Sequence, residues 1–219
     1  RRQRQMCIRD RYKEQNSAMR KAKKIIKDFN GDTHKTVLFL SYKAENWNTM
    51  DNIYKKYCQE KDIKVIVQCV PYYYKNIDGT FEKYIDGGMY PEYVTITPIE
   101  DYNYVNENPD VIVFQYPYDN YNSAGTTDPV FYSYNLASHT QKLIYIPYFR
   151  TDEIDENDMR AYTNMDAYVT MPGVVYADKV IVQSEEIRKL YIKKLTDFFG
   201  EESEDEWEDK IEAEDIGGI

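Results

Sequence analysis

The chain has 219 residues, 42% of them hydrophobic, enough to bury a core and sized for one large or two small domains. A net charge of −10 argues against a nucleic-acid partner. Three cysteines with no CxxC pair, no apolar run of the ~18 residues a membrane span needs, and a charged N-terminus without a signal-peptide core point to a cytoplasmic chain that does not cross a membrane.

Charge is unevenly spread. Residues 1–28 carry 11 Arg and Lys against 3 acids, whereas residues 201–215 carry 10 acids against one Lys. The opening RRQRQMCIRDR resembles a translated adapter sequence, so residues 1–11 are expected to be a non-native segment and are set aside. In residues 12–34, Ala18, Met19, Ala22, Ile25, Ile26 and Phe29 recur at helical spacing among Arg20, Lys21, Lys23, Lys24 and Lys27. This predicts a basic amphipathic helix that covers the domain with its apolar face; the alternative is docking on an anionic membrane surface.

KTVLFLSYK predicts a buried strand over 36–41, followed by a helix on which Trp47, Met50, Ile53, Tyr54 and Tyr57 share a face. DIKVIVQCVPYYY predicts a strand over 64–70 and then a tyrosine-rich loop, and YVTITP a short strand. PDVIVFQYPYDNY predicts a strand over 111–116 with a helix near 130–140, and KLIYIPYF one over 143–147. ADKVIVQS predicts the strand 179–183, after which Ser184 caps a helix whose first turn carries Glu185 and Glu186. The fold class is therefore α/β, a Rossmann-like, mainly parallel open sheet over 35–200 with helices on both faces. The acidic stretch 201–219 reads as a linker toward a second domain, too polar to bury.

Proline cannot donate to a sheet ladder, so the Pro-Tyr pairs of VPYYY, YPYDNY and IPYF mark where strands leave the sheet, each at its carboxyl end. Ligands of open parallel sheets bind outside those ends, near the point where strand order reverses. Tyr72, Tyr73, Tyr118, Tyr121 and Tyr148, with Lys43 and Asp119, are thus expected on one rim; the plainer reading is that the tyrosines seal loops over the sheet. Tyrosine, with 23 residues, is also the compositional peculiarity of this chain.

There is no GxGxxG, no GxxxxGK[ST] and no GxSxG, and only His34 and His139 could supply imidazole, which leaves no histidine-based metal cluster. An anion could still meet Lys43 and the start of the helix near Asn46 to Thr49.

The ordered series LSYKAENWNTMDNIY, VPYYYKNIDGTF, YPEYVTITP, PDVIVFQYPYDNYN, KLIYIPYF and ADKVIVQSEEIRKLYI resembles the N-terminal half of bacterial proteins related to CDP-glycerol glycerophosphotransferases. The resemblance implies one half of a GT-B architecture, with an acceptor-side domain here and the CDP-glycerol donor on another domain. It implies a polyol or teichoic-type acceptor, contact with the inner membrane face, and no separate cofactor. Family members carry a Trp-His-Gly stretch that looks like the source of the base; the comparable strand end here reads IPYF. In such a transfer Asp119 would serve as base and Lys43 would stabilise the leaving group, with Trp47 and the rim tyrosines holding the acceptor. The alternative from another class is a non-catalytic domain that binds a sugar, polyol or peptide.

Overall fold

The computed structural model describes residues 10, 14–25, 35–84, 86, 88–155 and 158–217. The strands along the chain are β1 (Lys35–Ser41), β2 (Ile63–Cys69), β3 (Tyr72–Lys75), β4 (Phe81–Tyr84), β5 (Val111–Phe114), β6 (Gly125–Thr127), β7 (Lys142–Tyr145), β8 (Lys179–Val182) and β9 (Ile211–Ala213). The helices are α1 (14–25), α2 (Asn48–Cys58), α3 (Tyr104–Glu107), α4 (Ser133–Ser138), α5 (Met159–Asn164), α6 (Asp166–Val169), α7 (Pro172–Tyr176), α8 (Glu185–Phe199) and α9 (Glu204–Lys210).

The main sheet has the order β2-β1-β5-β7-β8-β9. Every pairing within it is parallel, with Val37 opposite both Val65 and Val111 and Ile112 opposite Leu143. The α/β class and the five expected strands are all present. Strand residues alternate between two cores, as a period of two requires. Leu38, Leu40, Ile112, Phe114, Leu143 and Tyr145 pack under α4, α7 and α8, while Val37, Phe39, Val113, Ile144 and Ile146 pack under α2. With both faces covered, the central strands are apolar throughout rather than alternating. Ser184 caps α8 as expected, its hydroxyl accepting from the Ile187 N–H.

Four expectations need correction. The tyrosine-rich stretch after β2 is an antiparallel sheet, β4-β3-β6, in which Tyr72 pairs with Tyr84 on one side and Thr127 on the other. YVTITP makes only one bridge, Ile96 to Val67, because Pro98 ends the donor series that a strand would need.

The acidic stretch expected to be a linker folds onto the sheet through residues 201–217. Trp207 and Ile211 are fully buried, β9 adds a parallel edge strand beside β8, and Ile216 enters the α2-side core. Arg188 of α8 donates to the carbonyls of Glu208 and Ile211, satisfying the end of α9. Gly217 closes the tail with φ +47 against the Asn48 carbonyl, where a Cβ would lie 2.4 Å from that oxygen. The many acids face solvent, and Trp207, Ile211 and Ile216 anchor the segment.

Helix α1 docks by its polar side, contrary to the expected apolar contact. Arg20 donates to the Ala137 carbonyl and pairs with Asp178 at 2.7 Å, Lys23 donates to the Ser138 carbonyl at 2.9 Å, and Met19 and Ile25 stay exposed. The last carbonyls of α4 have no helical partner and draw cations, which outweighs the modest apolar area α1 offers. Ile26 and Phe29, the rest of the expected apolar face, and residues 1–9 lie outside the described residues.

Candidate functional site

Because all main-sheet strands run the same way, their carboxyl ends share one rim. Strand order reverses between β1 and β5, and Tyr42 leaves β1 at that point. Its ring centroid lies 4.9 Å from Tyr72, 5.0 Å from Tyr116 and 5.0 Å from Tyr148, gathering the residues that follow four strands into one cluster. Tyr118 continues it, its hydroxyl 3.4 Å from that of Tyr148. On the other side Tyr72 packs on Tyr74 and Tyr84 of the small sheet, with centroids at 5.3 and 5.0 Å.

Gln115, fully buried where β5 ends, fixes this junction. Its side-chain oxygen accepts from the Tyr42 N–H at 3.0 Å, and its amide donates to Asn46 O and Thr49 Oγ1, both at 2.9 Å. The turn before α2 is otherwise tied internally, with Ala44 N–H on the Asp86 carboxylate and Asn46 N–H on the Lys43 carbonyl.

Beside the cluster opens a cavity of about 420 Å³ lined by Lys43, Glu45, Tyr72, Tyr74, Tyr84 and Asp86. Lys43 Nζ sits 5.4 Å from the Tyr42 centroid and 5.5 Å from that of Tyr72, and 3.4 Å from Glu45. Burial, then the neighbouring Tyr148 and Tyr74, holds the Tyr42 phenol well above its ordinary range, and burial does the same for Tyr118. These hydroxyls stay protonated and can donate as well as accept. The crevice offers aromatic faces and neutral hydroxyls, with one ammonium set against two carboxylates.

The structure brings Lys43, Tyr72, Tyr118 and Tyr148 into this rim and disperses the other expected residues. Trp47 is buried against Tyr54 and Tyr90, and its indole N–H donates to Asp51. Tyr73 points to the opposite face of β3 and lines a separate cavity of about 220 Å³ with Gln68 and Tyr102. Asp119 and Tyr121 line a third, of about 530 Å³. The Asp119 carboxylate is buried, one oxygen accepting from the Ser133 N–H and the other from the Ser133 hydroxyl, both at 2.9 Å, so it caps α4 from a distant loop. Burial, partly offset by those two bonds, pushes its pKa up to about 7.

Tyr42, Gln115, Tyr74, Tyr84 and Asp86 went unread in the sequence. A polar Gln inside the buried run VIVFQYP was the available signal for one, and the Tyr that ends KTVLFLSY for another. His139 is half-buried, its Nδ1 2.9 Å from the Asn135 carbonyl, and His34 lies outside the described residues. Among the described residues no group of three or more His, Cys, Asp or Glu is placed to hold a metal, and no helix is long and apolar enough to cross a membrane. Comparison with protein-family models, with curated proteins and with solved structures returns no match.

Proposed function

We propose that the tyrosine rim binds a polyol or sugar and that the chain is the acceptor-side domain of a transferase moving glycerol phosphate, or a similar polyol phosphate, from a CDP-alcohol to a cell-envelope polymer. The observation that carries the binding half is the packing of Tyr72, Tyr116 and Tyr148 around Tyr42 at the strand-order reversal, beside an open cavity. Flat rings suit the C–H faces of a polyol chain or sugar, and protonated phenols suit its hydroxyls. The transfer half rests on the sequence resemblance, with Lys43 opposing the negative charge that develops on the leaving group; Asp119, expected as base, lines a cavity apart from Lys43 and is held by Ser133.

Tyr74 and Tyr84 are each 42% exposed, so removing either ring should leave the fold intact. Titrated with oligo(glycerol phosphate) and with glucose, the protein should bind at least one of them saturably, and Tyr74→Ala should weaken that binding about tenfold. Absence of saturable binding by both ligands sinks the reading.

Binding without catalysis is the second reading, favoured by the engagement of both Asp119 oxygens with Ser133. A protein that binds polyol but, with its donor domain present, never consumes CDP-glycerol would decide for it.

Contact with the inner membrane face belongs to the same proposal. Its support is the exposure of Met19 and Ile25 beside Lys21 and Lys24 on α1. The double substitution of Met19 and Ile25 by Glu should lower co-sedimentation with anionic phospholipid vesicles about tenfold; unchanged sedimentation removes α1 from the reading.

A further inference from the structure

The loop after β5 separates the tyrosine rim from the 530 Å³ cavity, which lies on the α8 side of the sheet and is walled by Tyr121, Tyr132, Tyr134, Tyr176 and Phe198. Its volume is in the range of small-molecule sites. The walls come from four places: the loop after β5, the start of α4, α7, and the end of α8. Tyr121 is 69% exposed at its edge, although it lies two residues after the buried Asp119.

The polar groups in this cavity differ from those at the rim. Among the described residues, the lining includes no Lys, Arg or His to offset the charge of a phosphate. The carboxylate and amide acceptors are Asp119 and Asn120, beside the hydroxyls of Thr170, Tyr121, Tyr132, Tyr134 and Tyr176. Each Asp119 oxygen already takes one hydrogen bond from Ser133 and keeps a further acceptor lobe.

We propose that this cavity is a second ligand site, for a flat, uncharged aromatic molecule of nucleobase size that carries N–H donors. The rings of Tyr121, Tyr134 and Phe198 supply stacking surface, and Asp119 with Asn120 accepts from the ligand edge. The site does not depend on the polyol reading of the rim, because the two cavities share no lining residue.

The probe is adenine, followed by ligand-observed NMR and by isothermal titration, with adenosine 5′-monophosphate as its charged counterpart. A ligand this small should bind with a dissociation constant on the order of 1 mM or below. Tyr121→Ala and Tyr134→Ala remove partly exposed rings and should each weaken adenine about fivefold to tenfold while leaving the unfolding temperature unchanged. The monophosphate should bind at least tenfold more weakly than adenine. Tyr74→Ala, in the other cavity, should leave adenine affinity as it was. The proposal is overturned if adenine shows no saturable binding or if neither cavity variant weakens it. It is equally overturned if Tyr74→Ala weakens adenine as much as they do, or if the monophosphate binds as tightly.

Discussion

Trp207→Ala is expected to cost about 3–5 kcal/mol of folding stability, the largest single-residue loss this chain should show. The indole is fully buried, stacks at 5.3 Å on Phe199, and donates its N–H to Ser203 Oγ at 2.9 Å. Lys210 Nζ lies 4.8 Å from its ring centroid and donates to the Val175 carbonyl at the end of α7. Truncation therefore opens a cavity, removes the bond that the Ser203 hydroxyl accepts while it still donates to the Gly200 carbonyl, and loosens a buried ammonium. Because α9 carries the chain into β9, the edge of the main sheet should loosen as well, visible as lost hydrogen-exchange protection at Glu214, whose N–H donates to the Val182 carbonyl of β8. Chemical denaturation measures the first effect. A loss below about 1 kcal/mol, with β9 protection intact, would show that 201–217 does not belong to the folding unit.

Asp119→Asn should stabilise the protein at alkaline pH. The folded carboxyl titrates near 7, against an unperturbed 3.8. Between those values the folded state keeps a proton that the unfolded chain has released, so stability falls as pH rises. The contribution is complete below about pH 4, is lost through about pH 7, and is a fixed cost above that. At about 1.4 kcal/mol per pH unit the swing is on the order of 4 kcal/mol. Asparagine avoids it: its carbonyl accepts from the Ser133 N–H, its amide donates to the Ser133 hydroxyl, and it tolerates the φ of +49 found at Asp119. Denaturation from about pH 3.5 to 8 should show variant and wild type together at the acid end and the variant ahead at the alkaline end. Parallel curves would mean that the carboxyl is not displaced from its usual range.

Periodicity and strand-end chemistry made much of the fold legible. Apolar runs such as LIYI and VIVF belong to strands covered on both faces, and the prolines after them mark the carboxyl rim, because each follows from local donors and side-chain alternation. Tyr72, Tyr118 and Tyr148 were legible for the same reason, whereas Tyr73 and Tyr121 line other cavities. Tyr42 was not, since it lacks the proline, and neither was the role of Asp119, because Ser133, the group it caps, lies 14 residues away in a different element.

What the sequence determined by itself, then, is the parallel sheet, its strand ends and the capped α8, all written in spacings of two to four residues. Tertiary structure alone decided that Asp119 faces Ser133 rather than Lys43, that Trp47 is core, and that Tyr72 and Tyr73 serve different cavities. It also decided that α1 turns its Arg20 and Lys23 inward and that the acidic 201–217 folds around Trp207. A residue pattern specifies which side of an element is apolar. It does not specify where unpaired carbonyls or a ring-sized gap will stand on a distant element, and those long-range partners settled every one of these placements.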